Sequence, residues 1–353
     1  MGFFDNIYKF FSTDCGIDLG TCNTLVCVRG EGIVINEPSV VAIKKQTKEV
    51  ITIGGQFAVG NLAKAMIGKT PEELIAIRPL KNGVISDFDI TQAMIRYFIE
   101  KAQNNRNIFA KPLVIISVPT GLTNVEKQAV ISSGLKAGAR HVFLIPQPRA
   151  CGLGLNLPIN EPKGHIICDV GGGTTQVAVL SMGEVVTWKT IRIAGDEMDE
   201  AIIKFMKSKY QLQIGPQTAE YVKINAGSAT PLEQEIEIPV KGLDTQNNIP
   251  KKIIIRSEEI REALSYVVKD IMKVIKDVLA ITPPELAADL VETGLVLCGG
   301  GSLLRNLDKA IEEEIQIPVK IAQEPLYAAV KGTGVVLENL HLLKDTLESD
   351  ITL

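Results

Sequence analysis

Two aspartates stand at matching places in the chain. Asp18 opens the run Asp18-Leu19-Gly20-Thr21-Cys22-Asn23-Thr24, and Asp169 opens Asp169-Val170-Gly171-Gly172-Gly173-Thr174-Thr175. Each carboxylate ends an apolar run. A turn of small residues follows, then a second run of alternating apolar positions, which is the pattern of a β-hairpin. Tight turns of Gly and Thr leave successive backbone amides uncovered, and such amides form an anion-binding concavity. Thr21, Asn23, Thr24, Thr174 and Thr175 add side-chain donors. Asp18 and Asp169 are oxygen ligands of the kind Mg²⁺ takes, and two carboxylates facing each other need such a cation or they repel.

The two runs align without gaps from Asp18 to Val28 against Asp169 to Val179, and the register persists to Gly32 and Gly183. Two Gly-rich hairpins can agree by coincidence. The shared Asp, Gly and Thr positions favour two similar halves, each offering a hairpin to a common cleft. A third cluster, Cys298-Gly299-Gly300-Gly301-Ser302, follows the apolar Gly294–Leu297 run and precedes a helical pattern, where backbone can approach a ligand closely. Any one of these is more often a plain turn than a site. Three in order, with the first two duplicated, predict a nucleotide clamp. The Walker pattern G-x-x-x-x-G-K-[ST] and the Rossmann pattern G-x-G-x-x-G are both absent, which disfavours those nucleotide folds.

Strand-like and helical patterns alternate along the chain, which indicates an α/β fold. Leu113–Val118 reads as a strand buried on both faces, and Thr123-Asn124-Val125-Glu126 reads as a capping box opening a helix. Apolar residues at 260, 263, 264, 267, 268, 271, 274, 275 and 278 predict a long amphipathic helix stopped by Pro283-Pro284. Leu243–Pro250 is polar and turn-rich, as in an exposed hairpin or loop. The 353 residues are 46% hydrophobic and 22% charged, enough for two domains with separate cores. A net charge of −4 offers no basic field for nucleic acid. The six cysteines lie in or beside apolar runs without C-x-x-C pairs, so buried thiols are expected rather than zinc or disulfides. No apolar run is long enough to span a bilayer and no signal peptide is evident, so the chain is expected to be cytoplasmic.

These clusters resemble the phosphate and adenosine motifs of the actin, heat-shock chaperone and sugar kinase superfamily. The resemblance to the MreB family is closer. It is carried by Ile17–Thr24, by Asn36-Glu37-Pro38-Ser39 with the apolar run to Ile43, by Arg78–Phe88, by Asp169–Thr175 and by Gly299–Leu307, and it covers nearly the whole chain. It implies an actin-like ATPase fold of two similar domains, each with a large and a small subdomain around a nucleotide cleft. Domain I would span 1–147 and 325–353, with a small subdomain at about 33–77. Domain II would span 148–324, with a small subdomain at about 183–256. ATP and Mg²⁺ would be held by Asp18, Asp169, Gly20, Thr21, Cys22, Asn23, Gly171, Gly172, Gly173, Thr174, Gly299, Gly300, Gly301 and Ser302. The same resemblance puts Glu220 and Lys223 at the ribose and adenine; their i, i+3 spacing also suits an ordinary surface ion pair. It puts Asp199 near a contact between subunits of a protofilament.

One segment departs from the family. Leu144-Ile145-Pro146-Gln147-Pro148 carries Gln147 where MreB relatives have the second Glu of Glu-Glu-Pro, the residue that positions the attacking water. An amide cannot accept a proton as a general base, although it can orient water. Slow hydrolysis is expected, with Thr174 sharing the water; the alternative is a protein that only needs to bind ATP.

Phe3, Phe4, Ile7, Tyr8, Phe10 and Phe11 fall on one arc of a helix, opposite Asp5, Asn6 and Lys9. So short a helix needs a partner, which could be the core, another subunit or a lipid interface. The family resemblance favours lipid, with Ile108-Phe109 as a second apolar contact. The function implied is a nucleotide-dependent filament protein on the inner face of the cell membrane, organising wall synthesis and cell shape with membrane proteins of the elongation machinery. A monomeric kinase of the superfamily is the alternative, although no sugar-recognition segment is apparent. A chaperone ATPase would need a peptide-binding domain.

Overall fold

The computed structural model describes residues 13–103, 111–343 and 347–349. The chain forms two compact units, one of residues 1–161 with 326–353 and one of residues 162–325.

In the first unit the central sheet starts with three antiparallel strands, β1 (Cys15–Leu19), β2 (Asn23–Val28) and β3 (Gly32–Pro38). Helix α1 (Phe88–Gln103) leads to β4 (Leu113–Val118), which pairs parallel with β1. Helix α2 (Asn124–Lys136) leads to β5 (His141–Pro146), parallel to β4. Both crossovers follow from the sequence locally. β4 is buried along its whole length, as its unbroken apolar run requires. Helix α2 starts at a complete capping box, with the Thr123 hydroxyl accepting from the Glu126 amide and the Glu126 carboxylate accepting from the Thr123 amide. The core of this unit is formed by Ile17, Val26, Met94, Ile95, Phe98, Ile116 and Leu144, all at or near zero exposure. The segment around 40–77 adds its own small core of Val40, Ala42, Ala58 and Ala63.

Helix α3 (Gln147–Gly154) follows β5 directly and crosses the helix Ala328–Glu338 at very short range. The crossing depends on glycine. A Cβ on Gly332 would lie 1.8 Å from the Ala150 carbonyl oxygen, and one on Gly154 would lie 2.0 Å from that of Ala328.

The second unit repeats the plan. β6 (His165–Val170), β7 (Thr175–Ser181) and β8 (Glu184–Ile191) form an antiparallel meander. After helices α4 (Gly195–Tyr210), α5 (Pro216–Ala226) and α6 (Ser257–Ile281), the strands β9 (Leu295–Cys298) and β10 (Val319–Ile321) add in parallel beyond β6. Apart from a short antiparallel edge strand at Glu348–Ser349 beyond β5, the sheet orders β3-β2-β1-β4-β5 and β8-β7-β6-β9-β10 are therefore the same, and the internal sequence match falls on equivalent hairpins. Helix α6 covers the predicted span and buries Ile260, Leu264, Val267, Ile271, Val274, Ile275 and Val278 along one stripe. At about 1.5–3 kcal/mol per buried aliphatic side chain, that stripe is the largest single contribution of any helix in the unit. The 237–244 and 250–256 strands form the expected hairpin around the polar turn. Five cysteines are buried and Cys22 is half-buried. Among the described residues no helix is long and apolar enough to cross a membrane.

Candidate functional site

In each unit the Asp-containing strand ends at the same edge as its parallel neighbours, the edge where open α/β sheets bind ligands. Asp18 lies opposite Ser117, and the Ser117 hydroxyl donates to Asp18 Oδ1 at 2.5 Å. The Gln147 amide, at the first position of α3, donates to the same oxygen at 3.3 Å. Burial raises the Asp18 carboxyl to about 6, partly offset by the Ser117 hydrogen bond. Among the described residues no lysine or arginine neutralises this buried carboxylate, so its remaining lone pairs suit a hard cation. Ser117 is the only polar residue in the β4 run, and that lone hydroxyl was the available signal for it.

The turns themselves are shaped by glycine. A Cβ on Gly20 would lie 2.5 Å from the Asn23 carbonyl oxygen, and one on Gly171 would lie 3.2 Å from that of Thr174, the equivalent residue. Thr24 and Thr175, also equivalent, do not add donors to the turn surface. Strand alternation points both inward at zero exposure, where Thr24 Oγ1 meets Ser39 Oγ at 2.8 Å and Thr175 Oγ1 donates to the Ile193 carbonyl at 2.6 Å. Ser39 supports the first turn from behind. Its hydroxyl donates to the Gly20 carbonyl at 2.6 Å and its amide to the Cys22 carbonyl at 2.9 Å. Asn23 Nδ2 donates to Asn36 Oδ1 at 3.0 Å. Thr21 Oγ1 accepts from the Gly83 amide at 3.1 Å, which leaves its own hydrogen to donate elsewhere. Gly83 sits in a two-residue Asn82-Gly83 hairpin with φ of 53° and 77°. The Asn36–Ser39 and Arg78–Phe88 segments are thus the backing of the first turn.

In the second unit, Asp169 pairs with Cys298 across β6 and β9, so the Gly299–Ser302 cluster lies beside the Gly171–Thr174 turn. Gly299 has φ +81°, and a Cβ there would lie 2.4 Å from the Val170 carbonyl oxygen, so any side chain at this position would be strained. Ser302 is fully buried and donates to the Gly299 carbonyl at 2.7 Å, so it shapes this turn from inside. Arg305 Nη1 donates to the Ile224 and Gly227 carbonyls at 2.8 and 3.2 Å, fastening the C-terminal end of α5, the helix of Glu220 and Lys223. The Gly171–Thr174 turn, the glycine cluster and α5 therefore converge within one unit.

Comparison with known proteins gives the lineage. A family model described as MreB/Mbl protein matches residues 12–345. The chain belongs to the MreB/Mbl family. It is 45% identical over 332 residues to the cell shape-determining protein MreB of Escherichia coli, covering 94% of this chain and 95% of that protein. It is 44% identical over 333 residues to the cell shape-determining protein Mbl of Bacillus cereus, covering 94% and 98%. MreB5 of Spiroplasma citri bound to AMPPNP superposes with a TM-score of 0.86 at 33% identity, over 94% of this chain and 98% of that one. A MamK double helical filament shares the fold at a TM-score of 0.77 and 22% identity, over 92% and 98%. The fold is actin-like.

Within this MreB/Mbl chain, Asp199 does not face outward. Its side chain is 14% exposed and lies 2.9 Å from Lys223 Nζ. Phe3, Phe4, Ile7, Phe11, Ile108 and Phe109 lie outside the described residues.

Proposed function

We propose that the protein is a nucleotide-dependent, filament-forming cell-shape protein that binds Mg-ATP and hydrolyses it slowly. The observation that carries the reading is the duplicated Asp–Gly–Thr turn at the carboxyl edge of both sheets, one copy with the glycine cluster and α5 beside it. The relatives named for cell-shape determination and the MreB5 structure bound to AMPPNP support it. Gly20–Asn23 and Gly171–Thr174 would offer phosphate-binding amides, and Asp18 and Asp169 would hold Mg²⁺ through its waters. Glu220 and Lys223 would face the nucleoside. Gln147 and Thr174 would orient the attacking water, without a general base, which accounts for slow turnover. Filaments would lie on the inner membrane face, held by the apolar N-terminal residues and Ile108-Phe109, and would organise wall synthesis with membrane proteins of the elongation machinery.

Sedimentation after addition of Mg-ATP, run beside calorimetric ATP titration, tests this directly. The parent should bind ATP and pellet. Asp18→Ala and Asp169→Ala should each weaken Mg-ATP binding at least roughly tenfold, as expected when a group facing an ion is removed. Full binding by both variants would refute the assignment of the two aspartates. ATP consumption on addition of a sugar, without pelleting, would point to a kinase.

A further inference from the structure

The Gly195-Asp196-Glu197-Met198-Asp199 segment opens α4, and its last residue meets α5. Asp199 Oδ1 lies 2.9 Å from Lys223 Nζ, with side-chain exposures of 14% and 18%. Both groups are largely shielded from solvent, so the pair fixes the ammonium more firmly than an exposed ion pair would. Asp196 and Glu220 add negative field around Asp199, so Lys223 is the cation of an otherwise acidic cluster. The same ammonium donates to the Gly195 carbonyl at 3.0 Å. Gly195 is itself bonded to the phosphate turn: its amide donates to the Gly171 carbonyl at 3.2 Å, and the Asp196 amide donates to that of Gly172 at 2.7 Å. The fit is close, since a Cβ on Gly195 would come within 3.3 Å of the Gly171 carbonyl oxygen and 3.5 Å of Lys223 Nζ. One ammonium therefore ties α5, the start of α4 and the Gly171–Gly172 backbone together.

We propose that Asp199 is a positioning residue for nucleotide binding: it holds the Lys223 ammonium on the Gly195 carbonyl and so sets the spacing between α5 and the second phosphate turn. The proposal rests on the nucleotide reading above. A free lysine is among the most mobile side chains, and one already fixed by two partners loses less freedom when a ligand arrives. Removing the Asp199 charge loosens that fixation without touching the ligand. The effect belongs to the nucleoside end and to a turn that any bound nucleotide shares, so ATP and ADP should suffer alike.

The experiment is calorimetric titration of the full-length protein with Mg-ATP and with Mg-ADP, at a concentration where sedimentation shows no polymer. Asp199→Asn should weaken both nucleotides by the same factor, roughly two- to tenfold. The double variant Asp199→Asn/Lys223→Met should bind no worse than Lys223→Met alone, because one residue acts through the other. With nucleotide raised to fill the weakened site, Asp199→Asn should pellet like the parent. Unchanged affinity in Asp199→Asn, or losses that simply add in the double variant, would overturn the proposal. So would a pelleting defect that persists at saturating nucleotide, which would make Asp199 a contact between subunits. Parent protein that binds neither nucleotide would overturn the nucleotide reading and this proposal with it, a result distinct from a loss confined to the variants.

Discussion

Gln147 donates its amide to Asp18 at 3.3 Å, which a glutamate at that position could not do. Gln147→Glu would set two carboxylates in contact, tolerable only with a proton or a cation between them. At saturating Mg²⁺ the variant should hydrolyse ATP at least roughly tenfold faster, since general-base help typically contributes about 10²–10⁴-fold. It should also need less Mg²⁺ to reach half-maximal rate, because the added carboxylate attracts the cation, without binding ATP more tightly. Phosphate-release assays across a Mg²⁺ series measure both, and an unchanged rate would remove Gln147 from the hydrolytic step. Asp199 allows a pH test. Burial raises its carboxyl to about 6 against the opposing pull of Lys223. The folded protein therefore holds that proton more tightly than the unfolded chain, and stability falls as pH rises from about 4 to about 6. Above that window the buried charge costs up to roughly 3 kcal/mol. Asp199→Asn should accordingly be at least as stable as the parent at pH 8, with the difference vanishing near pH 4. Urea unfolding at both values decides it; a clearly weaker variant at pH 8 would mean the ion pair outweighs the burial.

Among the elements, the crossing of α3 with the 328–338 helix leaves no room for a side chain at its contact. Gly332→Ala would drive a methyl into the Ala150 carbonyl, 1.8 Å away, and backbone must move to relieve it. Overpacking of this kind typically costs about 1–3 kcal/mol. Because α3 begins at Gln147, the same shift should slow ATP turnover. Gly334→Ala, two residues along the same helix, meets only Cys27 Sγ at 3.5 Å, an ordinary contact. It should be neutral or stabilising, since Gly is about 1 kcal/mol poorer than Ala inside a helix. Equal denaturation midpoints for the two variants would show that the crossing is looser than its geometry.

For the whole molecule, the proposed assembly and membrane attachment should be separable. Deleting residues 1–11, or changing Phe3 and Phe4 to Ser, should lower co-sedimentation with liposomes while Mg-ATP still drives pelleting in their absence. Adding Ile108→Ser and Phe109→Ser should lower it further. Undiminished lipid binding by the combined variant would exclude both segments as the attachment.

Much of this architecture is local and could be read along the chain. The duplicated hairpins, the Thr123–Glu126 capping box and the stripe of α6 depend on residues a few positions apart, so their patterns survive in one dimension. The candidate turn residues were legible for the same reason, because glycine and a strand-ending aspartate announce themselves. What surrounds them was not. Ser117 meets Asp18 across 99 positions, Gly83 meets Thr21 across 62, and Lys223 reaches the start of α4 across 28. Thr24 and Thr175 share the motif with outward donors, yet the pleat turns both into the core. The family resemblance put Asp199 near a contact between subunits, and only the packing of α4 on α5 gives it Lys223. Such pairings are decided by strand register and helix packing over the whole core, which no local run of residues encodes. The chain alone therefore specified the elements and the turns, and only the packed structure determined which side chains hold those turns in place.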